Sequence, residues 1–103
     1  MQIIEADGGL LAINAFTVDP ARQQELVDTI RDAGDPADIP GLRRMYLLRS
    51  RVGRTVINHM PWDDEGAFRR ALATDPTIRG TMRKVSAVVE NARPGEYEII
   101  PLT

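Results

Sequence analysis

The sequence predicts an α+β fold, and three observations predict it. Four runs rich in β-branched and other apolar residues read as strands. Apolar stripes at helical spacing lie between the first and second runs and between the third and fourth. Asp-Pro pairs mark where helices begin. The resulting order is strand, helix, strand, strand, helix, strand.

Residues 1–9 read as an N-terminal arm: Gln2-Ile3-Ile4-Glu5 is extended, and Asp7-Gly8-Gly9 is a turn signal able to fold it back as a hairpin. Leu10 to Val18 is the first strand. Side chains alternate along it, so Leu10, Ala12, Asn14, Phe16 and Val18 share one face, and Leu11, Ile13, Ala15 and Thr17 the other. Both faces are mostly apolar, which predicts a central strand buried on two sides. Asn14 is the exception, and a buried amide left without partners costs on the order of 1–3 kcal/mol.

Asp19-Pro20 supplies an N-cap and a proline at the first helical position. Leu26, Val27, Ile30 and Ala33 then recur at helical spacing, and Gly34-Asp35-Pro36 ends the helix. The second strand is read from Leu42 to Arg51. Uniform alternation puts Leu42, Arg44, Tyr46, Leu48 and Ser50 on one face and Arg43, Met45, Leu47 and Arg49 on the other. Val52-Gly53 makes a turn into a third strand, Arg54 to Trp62, which pairs with the second as an antiparallel hairpin. Arg54, Val56, Asn58, Met60 and Trp62 share one face of it, and Thr55, Ile57, His59 and Pro61 the other. Asp63 or Asp64 caps a short helix that buries Ala67, Phe68, Ala71 and Leu72. Asp75-Pro76 restarts it with a stripe of Ile78, Met82, Val85 and Val89. Asn91 to Gly95 closes the helical region, and Tyr97 to Leu102 is the last strand, with Pro101 placing its end at an edge.

This order is the ferredoxin-like βαββαβ unit, one domain over residues 1–103. Its first and third long strands lie together in the centre, which brings Asn14 and Asn58 to a common face. Helices cover only one side of such a sheet. Ile13, Met45, Leu47, Ile57 and Ile100 are expected on the bare side, and an apolar face of that kind predicts a homodimer with two sheets facing each other.

Composition removes whole classes of chemistry. With no cysteine and one histidine among 103 residues, thiolate metal sites, disulfides, thiol catalysis and a histidine metal cluster are excluded, and no metal is expected. A net charge of −2 and a pI near 5.3 leave no footprint for nucleic acid. No apolar stretch approaches the ~18 residues of a membrane helix, and no secretory signal is visible. A soluble, cytoplasmic protein is expected.

The function is sought at Asn58 and Trp62, which lie on one strand face about 13 Å apart along the chain. An amide and an indole beside an apolar floor could line a pocket for a flat aromatic ligand. Each residue also has a plainer account, Trp62 as core packing and Asn58 as a partner of a nearby loop. His59 is expected to face the opposite way, toward the dimer interface. Asp63, Asp64 and Glu65 read as a charged helix N-terminus, and Arg79 and Arg83 as a solvated helix face.

Three stretches carry a resemblance: Ile13-Asn14-Ala15-Phe16-Thr17-Val18, Val56-Ile57-Asn58-His59-Met60-Pro61-Trp62, and Ala67-Phe68-Arg69-Arg70-Ala71-Leu72 with Asp75-Pro76. Together they resemble the antibiotic biosynthesis monooxygenases, small proteins that form dimeric α+β barrels, over roughly residues 10 to 100. The similarity is nearest to the cofactor-independent anthrone-type oxygenases of aromatic polyketide biosynthesis. It implies a homodimer that uses O₂ and no cofactor to convert a polycyclic anthrone or naphthacenone to a quinone. The residues matching the family's pocket asparagines and tryptophan are Asn14, Asn58 and Trp62. Their implied roles are to hold an enolate oxygen through the amides, and to stack on the rings and donate the indole N–H.

Phe16, Tyr46, Met60, Phe68 and Met82 are the implied substrate contacts. Some relatives carry Tyr where this chain has Phe68, and Arg near Met82. The haem-degrading branch has Trp and His where this chain has Ala71 and Thr81, so haem degradation is not implied. A polyketide cyclase and a non-catalytic aromatic-ligand-binding dimer of the same fold are the alternatives.

Overall fold

In the computed structural model, which describes residues 9–100 and 102, four strands form one antiparallel sheet. They are β1 (Leu10–Thr17), β2 (Tyr46–Arg49), β3 (Thr55–Trp62) and β4 (Asn91–Tyr97), in the order β2-β3-β1-β4. With helices α1 (Gln23–Arg31), α2 (Glu65–Thr74) and α3 (Pro76–Ser86), this is the ferredoxin-like α+β fold. The expected arm lies outside the described residues apart from Gly9.

The helices begin where Asp-Pro pairs and acidic caps put them. Asp19 accepts from the Ala21 amide at 2.8 Å and caps a 3₁₀ turn, Pro20–Arg22, that leads into α1. Asp64 accepts from Ala67 N at 2.7 Å to start α2. Asp75 accepts from Thr77 N and Ile78 N at 2.9 and 3.1 Å, so the chain turns and restarts as α3. Gln23, buried in the first turn of α1, donates to the carbonyls of Ser50 and Thr55 at 3.1 Å each, tying that helix to the β2–β3 hairpin.

All three helices pack on one side. Leu26, Val27 and Ile30 of α1 and Val85 of α3 join Phe16, Val18 and Val56 in one core cluster. Ala67, Phe68 and Ala71 of α2 join Ala12, Ile39, Leu42 and Trp62 in a second. Every strand residue in these clusters belongs to the row expected to contain Asn14 and Asn58. The other side of β1 is buried at Leu11, opposite the buried Pro61, but only half-buried at Ile13, Ala15 and Thr17, so burial on two faces is incomplete in the single chain.

The second strand departs from the expectation. Leu42 bridges Trp62 in isolation, but regular pairing resumes only at Tyr46, opposite His59. Four steps on one strand therefore match three on the other, and one extra residue is accommodated between them as a bulge. The bulge reverses the parity of everything after it. Leu47 stands opposite Asn58 on the helix side, where it and Met45 pack against the core, whereas Tyr46 stands opposite His59 on the bare side. Met45 and Leu47 are thus moved off the bare face, and Tyr46 off the face of Asn58.

The last strand is also displaced. β4 runs through Asn91–Tyr97, including Pro94 and Gly95, and the expected strand from Tyr97 to Leu102 is not formed among the described residues. β4 is an edge, and an edge strand tolerates a residue without an N–H. On α3, Met82 is 57% exposed rather than part of the buried stripe. At 3.6 residues per turn it lies about 60° around the helix from Val85, which is buried.

Candidate functional site

Asn14 and Asn58 are direct cross-strand partners on β1 and β3. The adjacent pairs are Phe16 with Val56 on one side and Ala12 with Met60 on the other, followed by Leu10 with Trp62. Phe16 and Val56 belong to the first core cluster, Ala12 and Trp62 to the second. The two amides therefore stand at the seam between two apolar clusters, where a sheet under helices would ordinarily continue with Val, Ile or Leu.

Their polar atoms are not provided for. Asn58 is 9% exposed and Trp62 1% exposed. Asn14 Oδ1, Asn58 Oδ1 and Trp62 Nε1 are buried with no hydrogen-bond partner. Buried polar groups are nearly always paired, and each orphan costs about 1–3 kcal/mol. Three such atoms in one row of two adjacent strands are a concentrated deficit. A ligand or water meeting them would offset it. Their chemistry is two acceptors and one donor.

The apolar part of the site is built mainly around Trp62. Its ring lies 5.5 Å from that of Phe68 at 54°, with Ala12, Ala67 and Ala71 in the same cluster. The Trp62 end of β3 is held by the loop before β2, where Asp63 N donates to Gly41 O at 2.8 Å and Arg43 N to Pro61 O at 2.9 Å. Gly41 has φ +84°, and a Cβ there would run into the Ala67 Cβ. Only glycine fits between the loop and α2 at this point.

The structure thus brings Asn14, Asn58, Trp62, Met60 and Phe68 to one side of the sheet, with Phe16 in the neighbouring core. It separates two expected contacts: Tyr46 faces the bare side, its ring 6.3 Å from that of His59, and Met82 is exposed and in neither cluster. Leu47, opposite Asn58, was assigned by alternation to the wrong face. The available signal was the doublet Arg43-Arg44, since two consecutive charges fit poorly into a strand with one buried face. His59 lies on the bare face as expected, with Nδ1 buried and unpaired.

The helix-side row, Leu10, Ala12, Asn14, Phe16, Val56, Asn58, Met60 and Trp62, contains no ionisable side chain. What it offers a reacting group is fixed neutral dipoles. Among the described residues no three His, Cys, Asp or Glu side chains gather in a way that could hold a metal, and no helix is long and apolar enough to cross a membrane.

The four-stranded antiparallel sheet with three helices defines the class, a ferredoxin-like α+β protein. The model of the antibiotic biosynthesis monooxygenase family matches residues 9–79, and the chain belongs to that family. Among solved structures it is similar to SnoaB, a cofactor-independent oxygenase from Streptomyces nogalater. The identity is 28% and the TM-score 0.73, over 92% of this chain and 96% of that one. The ActVA-Orf6 monooxygenase of Streptomyces coelicolor, solved with the ligand nanaomycin D, shares the fold at 22% identity and TM-score 0.79, over 93% and 91% of the two chains. Rv0793 from Mycobacterium tuberculosis shares it at 14% identity and TM-score 0.78, over 91% and 97%. No curated protein matches the chain.

Proposed function

We propose that the protein is a cofactor-independent monooxygenase that oxidises a polycyclic aromatic polyketide of the anthrone or naphthacenone type to a quinone. The observation that carries the reading is the set of unpaired atoms, Asn14 Oδ1, Asn58 Oδ1 and Trp62 Nε1, in the helix-side row of β1 and β3. SnoaB, described as a cofactor-independent oxygenase, and ActVA-Orf6, which holds nanaomycin D, support it as relatives.

The polarity of those atoms assigns roles. Two carbonyl oxygens suit the phenolic hydroxyls of a flat substrate, and the indole N–H suits its ketone oxygen. When the substrate loses a proton, negative charge collects on that oxygen, where a preorganised N–H in a dry surrounding is most effective. The electron-rich enolate then passes an electron to O₂. The two radicals combine at the ring carbon, the peroxide anion takes back the proton lost earlier, and loss of water from the hydroperoxide leaves the carbonyl. In sum, a CH₂ and O₂ become C=O and H₂O, with the substrate as reductant. Trp62 therefore takes the oxyanion, a role that the family resemblance implied for the asparagines. We also place the protein as one domain and a homodimer joined through the bare sheet face.

The test is O₂ consumption with dithranol (1,8-dihydroxyanthrone) in chelator-treated buffer, for the wild type, Asn58→Ala and Trp62→Phe. Turnover that falls in both variants is expected; unchanged turnover in both removes these residues from the mechanism. Ring closure of an open poly-β-ketone under strict anaerobiosis would select a cyclase, and saturable quenching of Trp62 fluorescence without turnover would select a binding protein.

A further inference from the structure

Among the described residues the side chain of Asn58 has one hydrogen-bonding partner, and it is a sulfur: Nδ2 donates to Met60 Sδ at 3.6 Å. Residues two apart on a strand share a face about 6.5 Å apart, so the thioether is well placed to reach back along β3. The consequence lies in the asymmetry of the pair. The terminal torsion of asparagine is broad and roughly two-fold, so the amide alone has little preference for which end points where. A thioether accepts hydrogen bonds and donates none. It therefore selects the NH₂ end and leaves Oδ1 directed elsewhere, and Oδ1 is the atom found buried and unpaired, as is Asn14 Oδ1 across the strands.

We propose that Met60 is a positioning residue, holding the Asn58 amide so that a ligand meets its carbonyl oxygen rather than its NH₂ group. This rests on the reading of Asn58 as part of the ligand site and adds to it a specificity. The edge of the ligand against the asparagine pair must carry a hydroxyl or N–H donor; a ligand presenting only carbonyl or ether oxygens there is rejected. Leucine or norleucine in place of Met60 keeps the bulk and loses the acceptor, whereas glutamine is no substitute for it, because its amide donates as well as accepts.

The experiment measures dithranol binding through quenching of Trp62, the only tryptophan, alongside O₂ consumption. Met60→Leu should weaken binding about fivefold, the size of one modest hydrogen bond, and Met60→norleucine, which keeps the shape of methionine and lacks only the sulfur, should do the same. In an Asn58→Ala background, Met60→Leu should add nothing. Wild-type binding by Met60→Leu or by Met60→norleucine, or the same fivefold loss in the Asn58→Ala background, would each overturn the positioning role, the last by showing that Met60 acts through its own ligand contact. Should Asn58→Ala itself bind dithranol as the wild type does, the ligand-site reading fails, and this inference with it.

Discussion

Asn14 and Asn58 face each other across β1 and β3, each with its amide oxygen buried and unpaired. An arrangement that serves function at the expense of the folded state should show the opposite signs of the two effects. Asn58→Leu removes one orphaned acceptor and continues the apolar row. It should raise stability by about 1 kcal/mol, seen as a higher midpoint in urea with unchanged slope, while dithranol oxidation is lost. A variant both less stable and still active would mean that Asn58 is a structural residue.

Trp62 separates packing from hydrogen bonding. Trp62→Phe retains an aromatic ring against Phe68 and Ala67 but removes the unpaired N–H. If that N–H meets the developing oxyanion, kcat for dithranol should drop about 10²-fold, the usual loss for one oxyanion donor. KM should change much less, because the donor acts most strongly on the charged state. A large rise in KM with kcat preserved would make Trp62 a binding wall only.

What the chain revealed by itself was local. The Asp caps, the apolar stripe of α1 and the long alternating runs of β1 and β3 each depend on near neighbours, and the shared face of Asn14 and Asn58 followed only from the fold that their order implies. The bulge between Leu42 and Tyr46 depends on the strand opposite, so uniform alternation carried Tyr46 to the wrong side and Leu47 away from Asn58. β4 was hidden for a related reason. Pro94 and Gly95 are turn formers locally, and only their place on a sheet edge makes them compatible with a strand.

Two glycines should respond with opposite signs. Gly41 has φ +84°, and an added methyl would meet the Ala67 Cβ beside Trp62. Gly41→Ala combines backbone strain with overpacking and should destabilise by about 2–4 kcal/mol. Gly80 lies within α3 with nothing inside 4 Å of its would-be Cβ. Gly80→Ala should stabilise by about 0.5–1 kcal/mol through helix propensity. Thermal melts by circular dichroism check both, and equal shifts in the two would refute the account of Gly41.

The bare sheet face gives the remaining prediction. With all three helices on one side, Ile13, Ala15 and Ile57 stand opposite that layer, together with His59, Tyr46 and Leu48, which is 46% exposed. Such a surface is stable in water when a second copy covers it. Ile57, paired with Ala15 near the middle of the central strands, is the position where a charge would be most costly on dimerisation. Because the same charge faces water in the separated chain, Ile57→Asp should leave the monomer folded. Light scattering after gel filtration should give twice the chain mass of 11.4 kDa for the wild type and a single chain mass for Ile57→Asp. A wild-type monomer at micromolar concentration would refute the face-to-face dimer, and an unfolded Ile57→Asp would show that this side chain supports the fold of one chain rather than the pairing of two.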